Sequence, residues 1–333
     1  MMKAFVVDKY GKKAALRLAE VPAPALQDED VLVEIHAAGV NLLDAKIRDG
    51  EFKPFLRYRP PFVLGHDVAG IVVRVGSKVR KFKPGDEIYA RPRDGRVGTF
   101  AEFIAINEAD VALKPKNLSM EEAASIPLVA LTAWQVLVEK AGLKRGQKVF
   151  IQAGSGGVGT FAIQLAKHLG AMIATTAGAS TALVKSLGAD IVVDYRKDDF
   201  EKLLKGYDVV INSQDAKTLE KSLGVLKPGG KLISISGPPD AEFARKLGLN
   251  MVLNLVMRAL SRGIRKKAER AGVEYSFLFM WAQGDQLSKM TPLLESGTIR
   301  PVIDRIFPFE ETSDALAFVQ TGRAKGKVVI KVK

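Results

Sequence analysis

The chain has 333 residues, of which 47% are hydrophobic and 26% are charged, and these proportions indicate a globular protein of about two domains. It contains no cysteine and three histidines, which excludes disulfide bonds, thiolate zinc sites, iron–sulfur clusters and a cysteine nucleophile. The net charge of +13 favours anionic partners, and the lack of a long apolar run or a secretory leader pattern predicts a soluble, cytoplasmic protein.

The first third of the chain predicts a barrel-like β domain. Short β-branched or alternating segments are separated by turns rich in glycine and proline, such as Pro60-Pro61 and Gly76-Ser77. Many short strands with this spacing are typical of small β-barrels. The predicted strands are residues 4–7, 31–37, 67–75, 86–90 and 101–105.

From about residue 119 onward, predicted strands alternate with predicted helices. Ser119 and Glu122 have the spacing of a capping box, which predicts that a helix begins there. Residues 158–169 carry an apolar stripe with helical spacing. Strands joined by helix-length connections indicate a doubly wound parallel sheet, so the predicted fold class is α/β. Its strands are predicted at 148–153, 172–176, 191–193, 208–212 and 232–236.

The C-terminal third contains a strongly basic segment at residues 258–270. It holds six lysines or arginines and one glutamate, a net charge of +5. We interpret it as a solvated helix face, and the alternative is a protein that binds RNA or a membrane surface through it, with weak or no catalytic activity. The lack of interleaved aromatic residues disfavours base stacking. Residues 275–281 then predict an edge strand, and residues 327–332 predict a final strand.

A glycine-rich loop between a predicted strand and a predicted helix indicates a dinucleotide site. Residues 154–159 match the pattern G-x-G-x-x-G. In this pattern the glycines allow a tight turn, a close approach to the pyrophosphate and packing of the helix on the strand. The helix N-terminus then offers free N–H groups to the phosphates. The candidate cofactor-binding residues in the loop are Gly154, Ser155, Gly156, Gly157, Val158 and Gly159.

The residues after the second strand of this sheet favour NADP(H) over NAD(H). An acidic residue there usually binds the ribose 2′-hydroxyl of NAD, but residues 160–189 contain no aspartate or glutamate. Hydroxyl groups and a lysine can instead bind a 2′-phosphate, which an acid would repel. Thr176, Ser180 and Lys185 are the candidates at this position, and Tyr195 is the candidate for the adenosine end.

Short motifs spread over nearly the whole chain occur in the order of a known family. They are A-A-G-V-N-L-L-D at 37–44, G-H-D-V-A-G at 65–70, G-D-E-I-Y at 85–89, L-T-A-W at 131–134, the glycine loop and G-K-V-V at 326–329. Together they resemble the medium-chain dehydrogenase/reductase superfamily, in its zinc-free quinone oxidoreductase branch. The likeness is greatest to members that reduce quinones or α,β-unsaturated carbonyls.

The resemblance implies a two-domain architecture. Residues 1–122 would begin a GroES-like catalytic domain, and residues 123–272 would form a Rossmann NADP-binding domain. Residues 273–333 would complete the catalytic domain and add an edge strand to the Rossmann sheet, with the active site in the cleft. Pairing of that edge strand across a two-fold axis implies a homodimer.

The resemblance also implies roles for single residues. As catalytic residues, Asn41 and Thr132 would lie near the nicotinamide and its ribose. Ser234, Ser236 and Gly237 would border the nicotinamide ring. In this family, residues at the positions of Lys185 and Tyr195 contact the 2′-phosphate, and Lys325 or Lys327 would approach the phosphates from the tail.

The zinc ligands of related dehydrogenases are missing. Zinc-dependent relatives have a cysteine near residues 41–44, a His-Glu pair at the position of His66 and Asp67, and a four-cysteine zinc lobe. This chain retains His66, which we interpret as a hydrogen-bonded packing residue, but it has no cysteine, so we expect no metal site.

Without a metal, the chemistry must suit an acceptor that takes hydride readily. A quinone or an enone delocalises the incoming charge onto its oxygen, so orientation in a dry site can supply much of the catalysis. The sequence therefore predicts NADPH-dependent hydride transfer to a quinone or α,β-unsaturated carbonyl. No general acid is assigned; Tyr58, Tyr89 and Tyr275 are the nearest proton-donor candidates, and we interpret each as a wall residue.

Overall fold

The computed structural model describes residues 1–12, 14–248 and 250–333. Its internal contacts divide the chain into two compact units. Unit 1 comprises residues 1–131 and 281–333, and unit 2 comprises residues 132–280. Unit 1 is therefore discontinuous in sequence, whereas unit 2 is a single continuous segment.

Unit 1 is built on two β-sheets. Its strands are β1 (Met2–Val7), β2 (Arg17–Val21), β3 (Asp30–Val40), β4 (Phe62–Val63), β5 (Asp67–Val75), β6 (Glu87–Ala90), β7 (Phe103–Asn107), β8 (Val111–Leu113), β15 (Ile303–Pro308) and β16 (Lys327–Lys331). The three-stranded sheet has the order β2-β1-β4, and the seven-stranded sheet has the order β15-β16-β3-β5-β6-β8, with β7 also paired to β3. Strand β16 is parallel to β15 and antiparallel to β3.

Strand β3 organises the core of unit 1. Its first half alternates in burial, with Val31, Val33 and Ile35 buried against a cluster of aliphatic side chains. Its second half, Ala37 to Val40, is buried throughout, because this part lies between β5 and β16. The long buried strand carries the chain directly into the Asn41 region.

One helix of unit 1 begins at the capping box that the sequence indicates. Ser119 and Glu122 form the predicted capping box at the start of α2. Helix α1 follows Asn41 and ends at Gly50, which has a φ of 88° in the left-handed region. The helices are α1 (Leu42–Asp49), α2 (Met120–Ala124), α10 (Gly284–Glu295) and α11 (Thr312–Gln320), and α3 (Pro127–Trp134) continues past the boundary between the units.

Unit 2 contains the predicted doubly wound parallel sheet. Its strands are β9 (Lys148–Ile151), β10 (Met172–Ala177), β11 (Ile191–Asp194), β12 (Tyr207–Asn212), β13 (Leu226–Ser234) and β14 (Glu274–Phe277). Their spatial order is β11-β10-β9-β12-β13-β14, and every neighbouring pair is parallel. This order reverses direction at β9, as in dinucleotide-binding sheets. The α/β fold class is confirmed.

The helices of unit 2 connect successive strands. They are α4 (Gly157–His168), α5 (Thr181–Ser186), α6 (Phe200–Leu203), α7 (Ala216–Lys221), α8 (Ala241–Lys246) and α9 (Met251–Arg270), and a π-helical turn covers Gln135–Lys140. Helix α4 lies at the predicted position and buries Phe161, Ala162, Leu165 and Ala166. Within the ranges described, no helix has the length and apolar character needed to cross a membrane.

Candidate functional site

The glycine loop joins β9 to α4, and two of its positions leave no room for a side chain. A Cβ atom on Gly154 would lie 2.1 Å from Thr175 Oγ1, and one on Gly159 would lie 2.3 Å from the Ala153 carbonyl oxygen. Ala153 has a φ of 52°, which residues other than glycine rarely adopt. Its N–H donates a 2.9 Å hydrogen bond to Thr176 Oγ1. The loop therefore has a fixed shape.

The N-terminus of α4 offers free hydrogen-bond donors. Gly156 is the N-cap residue, and no side chain in the described part of the chain caps this helix end. The N–H groups of residues 157–159 precede the first helical bond, from Thr160 to the Gly156 carbonyl at 2.9 Å. A Cβ on Gly156 would contact one atom within 4 Å, the Ala153 carbonyl oxygen at 3.4 Å. These donors and the open space fit the pyrophosphate of a dinucleotide.

Strand β10 ends beside an arginine that the sequence analysis did not single out. A Cβ on Gly178 would lie 3.1 Å from Arg196 Nε and 3.3 Å from Tyr195 Cε1. Tyr195 is 65% exposed, so its ring is accessible at this edge of the sheet. Tyr195 and Arg196 also line a surface pocket of about 430 Å³. A guanidinium group and an aromatic ring therefore flank the carboxyl end of β10.

Arg196 is held by Asp194, the last residue of β11. The Arg196 Nε and Nη2 atoms donate to the two carboxylate oxygens at 2.9 and 2.8 Å. These bonds, with one from the Arg196 backbone N–H, lower the pKa of Asp194 to about 2. Asp194 therefore stays ionised, and Arg196 neutralises it. The signal for this pair is the sequence Asp194-Tyr195-Arg196 directly after the third strand of the sheet.

The residues that the sequence predicts for the 2′-phosphate lie between the end of β10 and the end of α5. Thr176 is buried and supports the glycine loop through Ala153. Ser180 is buried and is the N-cap residue of α5, and Lys185 is exposed in the last turn of that helix. The structure therefore brings Thr176, Ser180 and Lys185 into one short strand–helix segment.

A buried polar network lies at the carboxyl ends of three neighbouring strands. Asn212 Nδ2 donates to Gln152 Oε1 at 2.8 Å, and Ser234 Oγ donates to Asn212 Oδ1 at 2.6 Å. Gln152 Nε2 donates to Ser222 Oγ at 2.7 Å. Satisfied networks of this kind fix side-chain positions. Dinucleotides bind outside this end of such sheets, so Gln152 and Asn212, which the sequence analysis missed, support the expected site from below.

Ser234 also fixes the loop that follows β13. Its Oγ accepts a 2.8 Å hydrogen bond from the Gly237 N–H, and Ser236 between them is exposed. A Cβ on Gly237 would lie 3.0 Å from the Tyr275 hydroxyl. That hydroxyl donates to the Pro238 carbonyl at 2.6 Å, and burial raises the pKa of Tyr275. The predicted wall residue Tyr275 is therefore protonated and lies beside the loop.

Unit 1 contains a buried polar cluster around Asn41. Asn41 Oδ1 accepts a 2.5 Å hydrogen bond from Lys327 Nζ, and its Nδ2 donates to Asp67 Oδ2 at 2.9 Å. Lys327 Nζ also lies 3.0 Å from Asp67 Oδ2 and 3.2 Å from the Val40 carbonyl oxygen. Asp67 Oδ1 accepts from the Leu128 N–H at 2.7 Å. These contacts hold the Asn41 side chain in one orientation.

Asp44 and His66 extend this cluster. Asp44 Oδ2 accepts a 2.7 Å hydrogen bond from the Asn41 N–H, and its Oδ1 lies 2.5 Å from His66 Nδ1. Both side chains are fully buried. His66 Nε2 has no hydrogen-bond partner among the described residues. The carboxylate fixes the ring orientation of His66, in agreement with a hydrogen-bonded packing role.

Two expectations for single residues are wrong. Lys327 does not reach toward a phosphate, because its side chain is 5% exposed and its ammonium is bonded within the Asn41 cluster. Tyr89 is not a wall residue, because it is fully buried and its hydroxyl donates to the Leu287 carbonyl at 2.8 Å. Tyr58 accepts a 3.2 Å bond from the Gly95 N–H, and burial raises its pKa to about 12.

Two further predicted site residues differ in exposure. Lys325 is exposed in the turn before β16 in unit 1. Thr132 is 4% exposed and lies in α3, the helix at the boundary between the units. Lys325 therefore remains accessible to an anionic ligand, in contrast to Lys327.

The Asn41 cluster does not fit a zinc ion. Catalytic zinc generally needs three protein ligands, and the chain has no cysteine. Across residues 1–12, 14–248 and 250–333, no three histidine, aspartate or glutamate side chains come together as metal ligands. The Lys327 ammonium already neutralises Asp67 at 3.0 Å. We therefore assign no chemistry to a metal.

Comparison with known proteins agrees with both units. The Alcohol dehydrogenase GroES-like domain family matches residues 27–116, and the Zinc-binding dehydrogenase family matches residues 187–330. The chain is 39% identical over 99% of its length to the 2-methylene-furan-3-one reductase of Solanum lycopersicum, covering 79% of that protein. It is 36% identical to the chloroplastic NADPH-dependent alkenal/one oxidoreductase of Arabidopsis thaliana, with the same coverage of both chains.

A solved structure extends the agreement to the complete fold. The quinone oxidoreductase from Coxiella burnetii superposes with a TM-score of 0.85 and 29% identity, covering 100% of this chain and 99% of its own. A GroES-like β unit and a dinucleotide-binding sheet define a nicotinamide-dependent dehydrogenase or reductase. The chain belongs to the medium-chain dehydrogenase/reductase superfamily, in its zinc-free quinone oxidoreductase branch, and it is an oxidoreductase.

Proposed function

We propose that the protein uses NADPH to reduce a quinone or an α,β-unsaturated carbonyl without a metal ion. The observation that carries this proposal is the fixed glycine loop, with its free donors at the start of α4, on a sheet of dinucleotide-binding order. Relatives named for enone, alkenal and quinone reduction support the acceptor class. The nicotinamide, when bound, supplies the hydride.

The loop and the network below it are the parts of unit 2 that we propose to hold the cofactor. The N–H groups of residues 157–159 bind the pyrophosphate, and the absence of side chains at Gly154, Gly156 and Gly159 allows the close approach. Asn212 holds the Ser234 hydroxyl, and Ser234 in turn keeps the loop of Ser236 and Gly237 in place beside the nicotinamide.

We propose that Arg196 gives the site its preference for NADPH. Its guanidinium lies over the end of β10, where a dinucleotide places the 2′ position of its adenosine ribose. An arginine fork suits a phosphate, and Tyr195 offers a ring beside it. Ser180 and Lys185 supply further donors from α5, and Lys325 is a further candidate for the phosphates.

Asn41 and Thr132 are proposed as the residues that position the nicotinamide and its ribose. Asn41 is suited to this task because Lys327 and Asp67 fix its amide. Asn41 Nδ2 also donates a long hydrogen bond of 3.4 Å to the Gly39 carbonyl oxygen, which an acceptor on a ligand can replace. A pre-oriented amide needs no reorganisation when the cofactor binds.

The test is NADPH oxidation with a panel of quinones, alkenals, enones and simple ketones, repeated with NADH. We expect turnover with quinones or enones, little with ketones, and a preference for NADPH. Asn41→Ala should lower turnover or weaken NADPH binding, and wild-type values for both would remove its assigned role. Reduction of ketones that depends on added zinc, with no activity on the other acceptors, would overturn the proposal.

We also propose a homodimer that pairs β14 strands. Strand β14 is the last strand of the sheet in unit 2 and pairs with β13 on one side. An open edge strand can add a strand from a second copy. Light scattering should give twice the mass of one chain, and a monomeric mass would contradict the dimer.

A cytoplasmic location is the proposal for the compartment. The absence of cysteine is compatible with a reducing environment. Fractionation of cells that express the protein at its natural level tests this, and recovery in an organelle fraction would contradict it.

A further inference from the structure

Helix α9 carries an apolar surface that the fold leaves exposed. Large apolar side chains at five of its first ten positions are between 43% and 87% exposed: Met251, Val252, Leu255, Val256 and Leu260. Of the nine other exposed large apolar residues in the described chain, three line one surface pocket, Met172, Ile191 and Leu203, and no other helix carries as many as α9. Concentrated apolar exposure of this kind usually marks an interaction site. We call these five residues the apolar patch.

The apolar patch is not part of the core of unit 2. The buried residues of α9 are Met257, Ser261, Ile264 and Ala268, which recur every three or four positions. This spacing forms one row along the helix, and the helix packs on α8 and β14. At 100° per residue, Val252, Leu255 and Val256 lie on the side away from this row. Folding of unit 2 therefore does not account for them.

The second half of α9 is basic on its exposed surface. Lys267 pairs with Glu220 at 2.6 Å. The other cationic residues from position 258 onward form no ion pair among the described residues: Arg258, Arg262, Arg265, Lys266 and Arg270. Five cations without an ion pair thus adjoin the apolar patch on one helix, with Glu269 as the one acidic residue of that helix. Their charge is complementary to an anionic surface.

We propose that α9 docks the protein on an anionic membrane surface. The apolar patch enters the boundary between headgroups and acyl chains, and the five cations contact anionic headgroups. Helices that lie in a membrane interface combine these two properties, and each lysine or arginine adds attraction to anionic lipid. The helix lies on the membrane, because its charged half is too polar for it to cross.

Two other occupants fit the helix less well. In an antiparallel contact with a second copy, the cations of each α9 would face the apolar patch of the other and be desolvated without a partner. A parallel contact would bring the two basic halves together. RNA would match the charge, but α9 contains no aromatic residue for base stacking, and RNA would leave the apolar patch exposed.

The experiment is flotation of the full chain with vesicles of phosphatidylcholine alone or with about one third phosphatidylglycerol. We expect at least roughly tenfold stronger partitioning onto the anionic vesicles, and a decrease with added salt. The variant Arg262→Glu/Lys266→Glu should lower it by at least about 25-fold, since the loss of each cation alone contributes about fivefold and the new carboxylates repel anionic lipid. Leu255→Gln/Leu260→Gln should lower it by about tenfold or more, because it removes inserted apolar surface.

Matched controls separate docking from general charge and from misfolding. Lys116→Glu/Lys289→Glu changes two exposed lysines outside α9 and should partition within twofold of the unmodified protein. Circular dichroism and NADPH binding should be unchanged in all three variants. No assay here uses an acceptor, so the outcome is independent of the proposed reaction.

Three results would overturn the proposal. One is equal partitioning onto both kinds of vesicle, and another is no loss in the two α9 variants. The third is absence of vesicle binding together with a drop in mass by light scattering for Leu255→Gln/Leu260→Gln, which would assign the apolar patch to a second copy.

Discussion

Replacing Arg196 with alanine should shift the cofactor preference from NADPH toward NADH. The guanidinium has two roles in the structure, because it lies over Gly178 and also neutralises Asp194 through bonds of 2.9 and 2.8 Å. Arg196→Ala removes a donor for the 2′-phosphate and, in the same step, leaves a carboxylate uncompensated on the neighbouring strand.

The expected magnitude is the product of these two effects. A charge-assisted hydrogen bond to a phosphate is worth about tenfold in affinity at the lower end of its range, which applies because the Arg196 side chain is 50% exposed. Repulsion between the Asp194 carboxylate and a doubly charged phosphate about 8 Å away adds about fivefold at the dielectric of water. The ratio of kcat/KM for NADPH over NADH should therefore fall by about 50-fold.

The assay is steady-state kinetics of both cofactors with one quinone. The value for NADH should change little, because NADH carries a hydroxyl where NADPH carries the phosphate. In the double variant Arg196→Ala/Asp194→Asn, the ratio should be about fivefold higher than in Arg196→Ala, because the repelling carboxylate is gone. The control is Arg74→Ala, which changes an exposed arginine of unit 1 and should leave the ratio unchanged. A ratio within twofold of the unmodified enzyme would refute the role of Arg196, and an unchanged ratio in the double variant would refute the neutralisation of Asp194.

Three further predictions concern the two sites. Lys327→Met should lower the free energy of unfolding, measured with urea, by about 3 kcal/mol, because it leaves the buried Asp67 without its cation. The control Lys331→Met changes a lysine that is 58% exposed and should lower it by less than about 0.5 kcal/mol. Equal losses in the two variants would contradict the role of the buried pair. Gly159→Ala should weaken NADPH binding by about tenfold or more, since its Cβ would lie 2.3 Å from the Ala153 carbonyl oxygen, and unchanged calorimetric binding would show that the loop can relax. Dialysis of the protein against a chelator should leave its activity unchanged, and elemental analysis of the protein should find no zinc. A loss of activity that only added zinc restores would disprove metal independence.

The parts of unit 2 that depend on local pattern could be predicted from the sequence. The helix α4 and the glycine loop were predictable because apolar spacing and glycine positions are local signals. Strand β13 begins at Leu226, six residues before the predicted start, because the Pro228-Gly229-Gly230 segment reads as a turn but lies within the strand. Strands β2 and β15 were missed because their alternation is obscured by charged residues on edge strands.

The parts of the site that depend on long-range pairing could not be predicted. Lys327 contacts Asn41 across 286 positions, and that contact exists because β16 pairs with the end of β3. The role of Arg196 depends on the register that places Asp194 beside Ala177 at the ends of β11 and β10. Neither register is encoded by a local pattern, and the lysine that resembled a phosphate ligand is a structural cation.

The discontinuity of unit 1 has a consequence for the way the protein is made on the ribosome. Unit 2 is complete once residue 280 has been translated, and it can fold while the rest of the nascent chain is still being added. Strand β3, by contrast, has to wait until the Lys327–Lys331 segment that forms β16 has been translated. Until then Asp67 lacks its cation, so we expect the core of unit 1 to form later than unit 2 during synthesis.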